Sequence, residues 1–179
     1  MLSLFVKRAK GRRDGIIVAG WYLHPDGFAF QIPEGLTPAN KRRGAVSLTL
    51  VDPSQENSPH QTYFMLSITN EDKRLKTMQR EEANRLFSSQ FERFSLLSFT
   101  RVIVCGEDGV RLSFLTGRVP RLQIQQCMFV KNGKTYITTI ASENRLHSLP
   151  PAWRQFDTVY QTLFFLQDVS EPMSTYGGG

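Results

Sequence analysis

Cysteine is scarce in this sequence of 179 residues, which contains only Cys105 and Cys127. No Cys-x-x-Cys spacing occurs, so neither a disulfide framework nor a structural zinc site is predicted. Free cysteines are usually buried, and we expect two reduced core thiols. Reduced thiols favour an intracellular, reducing compartment, with the mitochondrion as one option and the cytoplasm or nucleus as the alternative.

Long apolar runs and metal-ligand patterns are also missing. No stretch approaches the roughly 18 consecutive apolar residues of a membrane-spanning helix, which predicts a soluble or peripheral protein. His24, His60 and His147 are far apart, and none has the i, i+4 partner that places two ligands on one helix face. We therefore expect no metal and no cofactor.

The sequence contains no recognisable catalytic motif. It has no Gly-x-x-x-x-Gly-Lys-[Ser/Thr], no Gly-x-Gly-x-x-Gly, no Gly-x-Ser-x-Gly and no His-Glu-x-x-His. The acidic pair Glu81-Glu82 falls on the exposed face of a predicted helix, where nothing would raise a carboxyl pKa for acid catalysis. We expect a protein that is not an enzyme, and an active site assembled from distant loops is the alternative.

Positive charge is present in two clusters. The net charge is +6, and the first cluster, within residues 1–15, accounts for most of it. The second cluster follows turn-forming residues in the loop before residue 45. Such clusters can contact nucleic acid, anionic lipid or an acidic protein surface, and solvated loops are the alternative. The candidate partner-binding residues are Lys7, Arg8, Lys10, Arg12, Arg13, Lys41, Arg42 and Arg43.

The N-terminal segment 1–15 has two interpretations. It mixes apolar residues with Lys and Arg and has no acid before Asp14, which is typical of an organelle-targeting presequence. It could equally be a basic arm that docks onto a ribosome, a microtubule or another polyanion.

Short β-prone runs dominate the first third of the chain. Residues 16–23 and 28–32 flank a Pro-Asp-Gly turn, which predicts a hairpin. Alternating patterns at 45–51 and 63–68 predict two more strands. The Pro- and Ser-rich stretch between them predicts an exposed loop.

A helix is predicted after these strands. Thr69-x-x-Asp72 resembles a capping box, and strong helix formers dominate the next twenty residues. The apolar positions recur largely at helical spacing and predict one core-facing side. These positions are Leu75, Met78, Leu86, Phe87, Phe91 and Phe94.

From residue 95 onward the period changes to two. Residues 96–105, 110–117, 122–130 and 135–141 predict four strands of an antiparallel meander, with 106–109 joining the first two. Asn132-Gly133 is the strongest hairpin signal, because a type I′ turn needs positive φ at both central residues.

The last patterned segment follows Pro150-Pro151. Its apolar residues recur at three and four positions, which predicts a closing helix that runs into an extended stretch at 164–166. Residues 168–179 then predict a flexible tail. Together these patterns predict a basic arm at 1–15, a single α+β domain at 16–167 and the tail.

The order of these elements resembles the PsbP-like superfamily. The segments Asp26-Gly-Phe-Ala-Phe-Gln-Ile-Pro33 and Asn132-Gly-Lys-Thr-Tyr-Ile137 carry the resemblance, which extends over roughly residues 16–167. The superfamily includes photosystem II PsbP, Ran guanine-nucleotide release factors and DcrB-like proteins. The resemblance implies an α/β/α sandwich around a central antiparallel sheet of about six to seven strands, without shared catalysis.

Two functions follow from these expectations. The first is a non-catalytic protein-binding accessory subunit or adaptor, docked through its basic arm to a larger assembly such as a mitochondrial or ribonucleoprotein complex. The second, implied by the resemblance, is a regulator that binds a small Ran-like GTPase. Ran-binding members are typically acidic where this chain is basic, and no binding motif matches residue by residue.

Overall fold

The computed structural model describes residues 15–39, 46–55, 62–118, 121–143 and 156–166. Contacts within the chain define two compact units. One is Pro33–Asp157, and the other takes its described residues from Met1–Ile32 and Thr158–Gly179. The boundaries expected for the arm, the domain and the tail stay predictions.

The described elements are eleven strands and two α-helices, with short 3₁₀ helices at Pro53–Gln55 and Lys73–Lys76. In chain order they are β1 (Ile16–Val18), β2 (Trp21–His24), β3 (Phe28–Gln31), β4 (Thr37–Pro38), β5 (Val46–Val51), β6 (Tyr63–Asn70), α1 (Arg80–Ser88), β7 (Ser95–Val104), β8 (Glu107–Thr116), β9 (Leu122–Lys131), β10 (Lys134–Glu143), α2 (Phe156–Thr162) and β11 (Phe164–Phe165).

The unit that contains both chain ends holds a four-stranded antiparallel sheet, ordered β1-β2-β3-β11. The hairpin predicted around Pro-Asp-Gly is confirmed between β2 and β3, with Gly27 at φ 84°. The single strand predicted over 16–23 is wrong, because the chain reverses at Ala19 and Gly20, where φ is 48° and 79°. Aromatic rings fill this unit, including Tyr22 and Phe30, which face each other across β2 and β3.

The larger unit holds a seven-stranded antiparallel sheet, ordered β4-β5-β6-β10-β9-β8-β7. The predicted meander is confirmed as β7 to β10, and so is the turn at Asn132-Gly133, where both φ values are positive. The turn expected at 106–109 is shorter than predicted. Cys105 and Gly106 alone make it, with φ 52° and 78°, so β8 begins at Glu107.

The long helix predicted from Thr69 is wrong in its bounds. Thr69 remains in β6, and Asp72 instead caps the 3₁₀ helix Lys73–Lys76 by accepting from the Arg74 backbone N–H at 3.1 Å. The α-helix begins only at Arg80 and ends at Ser88. Phe91 and Phe94 therefore lie beyond it, yet their rings still pack on Phe114 of β8, as expected for core residues.

Both faces of the seven-stranded sheet contact a helix. On one face, Leu75, Met78, Ala83 and Phe87 pack against apolar residues of β8, β9 and β10. On the other face, the ring of Phe156 in α2 lies 6.4 Å from that of Phe64. The antiparallel sheets and two helices of the described residues match the α+β fold class that the resemblance implies.

The two cysteines differ from each other. Cys127 is fully buried in β9, as predicted. Cys105 was expected in the core, but it occupies the β7–β8 turn and is only half-buried.

Candidate functional site

The eight basic residues predicted to bind a partner all lie outside the described residues. These are Lys7, Arg8, Lys10, Arg12, Arg13, Lys41, Arg42 and Arg43. Their proximity and their role therefore stay predictions. The site that the described residues do present is the outer edge of β7, which we call the β7 edge.

The β7 edge is the exposed margin of the seven-stranded sheet. Strand β7 is ten residues long and pairs only with β8, so its other side faces no strand among the described residues. The opposite margin is different, because β4 is only the two residues Thr37–Pro38 and proline has no N–H to offer. A long unpaired strand is the usual template for pairing with another chain.

The β7–β8 turn decides which backbone groups point outward. Val104 pairs with Glu107 across the two-residue turn, so their backbone groups bond to each other. Hydrogen-bonded and non-hydrogen-bonded pairs alternate along an antiparallel ladder. The N–H and C=O groups of Phe99, Arg101 and Ile103 therefore point away from β8, toward the open margin.

Two apolar side chains are unusually exposed on this strand. Ile103 is 66% exposed and Leu97 is 46% exposed, and only Ile17 and Leu122 join them as exposed large apolar residues in the described part of the chain. Leu97 sits at a bulge, where the register with β8 shifts between Leu96 and Ser98. The regular part of the edge therefore starts at Ser98.

The side chains of the outward residues lie on the same face as α1. Arg101 is opposite Val110, which belongs to the core beneath α1. Its guanidinium donates to the carbonyl of Leu75 at 2.8 Å and to that of Lys76 at 2.6 Å. It also lies 3.6 Å from the Asp108 carboxylate. These contacts hold the positive charge of Arg101 at the middle of the β7 edge.

A cleft continues the site along the first half of β7. It is lined by Arg80, Glu81, Asn84 and Leu96, so the start of α1 forms its wall. The side chain of Gln79 makes no capping hydrogen bond at this helix end. Polar side chains of α1 therefore lie beside the first half of β7.

The other cluster of chemical interest surrounds Cys127. Burial raises the pKa of this thiol to about 12, although the nearby Arg111 guanidinium opposes the shift. Arg111 is itself held by Asp157 in a two-point ion pair. A thiol that stays protonated at neutral pH is a poor nucleophile, so we interpret this cluster as structural rather than reactive.

Two further features are absent from the described ranges. They contain no group of three or more His, Cys, Asp or Glu residues arranged to hold a metal ion. They also contain no helix with the length and apolar character needed to cross a membrane.

Sequence reasoning missed the β7 edge because a meander leaves two candidates for the outer strand, β7 and β10. The alternating pattern does not tell which of the two pairs with a further strand, as β10 does with β6. One signal was available, since Leu97 breaks the alternation of Leu96 and Ser98 and so marks the bulge.

Comparison with known proteins finds similarity in structure alone. No family model matches the sequence, and no curated protein matches it. Cyanobacterial PsbP (CyanoP) from Synechocystis sp. PCC 6803 is similar with a TM-score of 0.56 and 15% identity, over 84% of this chain and 95% of that one. LpqN of Mycobacterium tuberculosis, involved in cell envelope biogenesis, is similar with a TM-score of 0.53 and 6% identity, over 76% of this chain and 81% of that one.

These similarities confirm the fold that the sequence resemblance predicted. The chain has a PsbP-like α+β fold with antiparallel sheets. At such low identity the likeness extends to the fold only, and function has to be argued from the site.

Proposed function

We propose that this chain is a non-catalytic accessory subunit or adaptor that binds a protein within a larger assembly. The observation that carries the proposal is the β7 edge, where Ile103 is 66% exposed and is one of three residues whose backbone groups face outward. The PsbP-like fold is compatible with an accessory role, but it does not identify the partner.

The β7 edge suits protein binding for a physical reason. Proteins commonly protect a free edge by making it short, by placing Pro or a charged residue on it, or by a bulge. The stretch 98–104 lies beyond the bulge at Leu97, has no Pro and carries one charge, Arg101, and apolar Ile103 is exposed within it. An edge with these properties is suited to strand addition, in which main-chain hydrogen bonds provide affinity and side chains provide specificity.

The basic arm at residues 1–15 is the second contact that we propose. Its charge would steer the domain toward a polyanionic surface, as in a ribonucleoprotein or a mitochondrial complex. Deleting residues 1–15 should abolish co-purification with that assembly and leave the thermal unfolding of the domain unchanged. Unchanged co-purification would remove the arm from the proposal, and the identity of the assembly would report the intracellular compartment.

The β7 edge is tested by quantitative affinity purification with one charged substitution. Ile103→Lys places a cation on the open margin and should reduce recovery of the specific partner at least fivefold. Leu122→Lys is the matched control, because Leu122 is 44% exposed but begins β9, which has a strand on each side. Circular dichroism should show equal folding of both variants. Equal recovery with wild type and Ile103→Lys would refute docking at this edge.

A further inference from the structure

We infer that the β7 edge receives an extended strand of a different protein, in which an acidic residue lies between two apolar residues at alternate positions. This inference rests on the proposed function and adds the chemistry of the partner segment. In the bound state the acidic residue lies opposite Arg101, and the two apolar residues lie opposite Phe99 and Ile103.

The pattern follows from the three outward residues. Phe99, Arg101 and Ile103 present their free backbone groups to the same side and their side chains to the same face. An antiparallel strand that uses all these groups places one residue opposite each of the three. Directly opposed aromatic–aliphatic and opposite-charge pairs each stabilise a sheet, whereas opposed like charges destabilise it.

A second copy of this chain fits the same edge poorly. Antiparallel self-pairing that uses all the outward groups sets Phe99 opposite Ile103 of the second copy. The twofold axis then passes through Arg101, so the two guanidinium groups face each other. Shifting the second copy by two residues separates them. It also sets either Ile103 opposite the bulge at Leu97 or Phe99 opposite the turn at Cys105, so one outward residue loses a regular strand partner. A strand with a carboxylate in the centre has neither problem.

The preference for an acidic strand comes from Arg101, since Arg80 and Glu81 in the cleft carry opposite charges. Asp108 lies 3.6 Å from the Arg101 guanidinium, and the two side chains are 59% and 36% exposed, so a second carboxylate can still reach Arg101. The Arg101 guanidinium is already held by hydrogen bonds to the Leu75 and Lys76 carbonyls. Binding a peptide there therefore costs little additional side-chain conformational entropy.

The experiment is an NMR titration of the full chain, labelled with nitrogen-15, with the peptide Ser-Val-Thr-Glu-Thr-Val-Ser. Saturable amide shifts should appear at Phe99, Arg101 and Ile103 and be absent at β4. Replacing the central Glu of the peptide by Lys should weaken binding about tenfold, since an attractive pair becomes a repulsive one. Ile103→Lys should abolish the shifts, and Leu122→Lys should leave them unchanged.

Backbone pairing is tested separately with N-methylated peptides. Methylating the N–H of the central Glu should abolish binding, because that group faces β7. Methylating a Thr N–H, which faces away, should change affinity less than twofold. Equal loss with both peptides would overturn strand addition.

Failure of this inference can be told apart from failure of the proposed function. If Ile103→Lys abolishes partner recovery but neither the Glu nor the Lys peptide binds, the inferred segment is wrong and the docking edge stands. If partner recovery does not change, the edge itself is wrong. A concentration-dependent dimer in sedimentation velocity that Ile103→Lys dissociates would assign the edge to a second copy and overturn the inference.

Discussion

The Arg111 guanidinium contacts the Asp157 carboxylate at two points. Nη1 donates to Oδ2 at 2.9 Å, and Nη2 lies 2.8 Å from Oδ1. Arg111 belongs to β8, and Asp157 lies in the first turn of α2. The pair therefore joins the start of the last helix to the face of the sheet that contains Cys127.

We expect Asp157→Asn to lower the free energy of unfolding by about 1 kcal/mol. Both side chains of the pair with Arg111 are about one-third exposed, so solvent screens part of the attraction, but the two-point geometry favours a measurable contribution. Urea unfolding measures the change. The control is Glu92→Gln, which removes the more exposed ion pair with Arg118 and should cost less than about 0.5 kcal/mol. Equal losses of stability in the two variants would show that the Arg111–Asp157 pair contributes no more than the exposed Arg118–Glu92 pair.

Gly109 of β8 lacks space for a side chain, although its φ lies outside the left-handed region. A Cβ atom there would lie 2.6 Å from the carbonyl oxygen of Met128 and 3.0 Å from the Cβ of Phe129. Both obstacles lie on or next to the backbone of β9, so relief requires the strands to move. Gly109→Ala should therefore destabilise the protein by about 1 to 3 kcal/mol, measured by thermal or urea unfolding.

A matched control for Gly109→Ala comes from the strand beside it. Ser98 of β7 is exposed and has room for its side chain, so Ser98→Ala should change stability by less than about 0.5 kcal/mol. A Gly109→Ala protein as stable as Ser98→Ala would contradict the steric argument.

The sequence predicted the sheet better than it predicted the first helix. The meander was readable because its strands alternate and Asn132-Gly133 dictates a tight turn. Helical spacing from Leu75 to Phe94 was misleading, because a 3₁₀ helix, an α-helix and a turn each place apolar residues on one core. Apolar residues at helical spacing indicate that one side of the segment is buried, but they do not require that the segment is one continuous helix.

The candidate site was less predictable than the fold for a physical reason. An edge strand is defined by the absence of a neighbour, and within Ser95–Val104 only the bulge at Leu97 gives an indirect sign of that absence. The exposure of Ile103 likewise follows from strand order. Charge clusters can be read from sequence alone, and so the candidates chosen from sequence were basic segments.

Stability should fall at alkaline pH through Cys127. Burial raises the pKa of this thiol from 9.0 to about 12, so between these values the unfolded chain releases a proton that the folded chain retains. Because the folded state binds more protons, stability decreases as pH rises above 9, by up to about 1.4 kcal/mol per pH unit. Urea unfolding at pH 8 and pH 10 measures this dependence.

Cys127→Ala isolates that contribution. The variant should be less stable at pH 8, because a small cavity replaces the sulfur, but it should lose about 1 kcal/mol less than wild type between pH 8 and pH 10. Other titrating groups are common to both proteins and cancel in the difference. Parallel pH profiles for the two proteins would refute the assignment to Cys127.

Asp72 should stabilise the start of the 3₁₀ helix through its charge as well as its cap. Hydrogen bonds from the Arg74 side chain, at 2.8 and 2.6 Å, hold the pKa of Asp72 below its ordinary value of 3.8. Since the folded-state pKa is lowered, this stabilisation is present above pH 3.8 and is lost as pH falls through the folded-state value. Asp72→Asn should keep the cap and lose the pH dependence, whereas Asp72→Ala should lose both and cost about 1 kcal/mol at pH 7. Unfolding curves at pH 3 and pH 7 separate the two contributions, because a purely structural cap would leave wild type and Asp72→Asn with the same acid sensitivity.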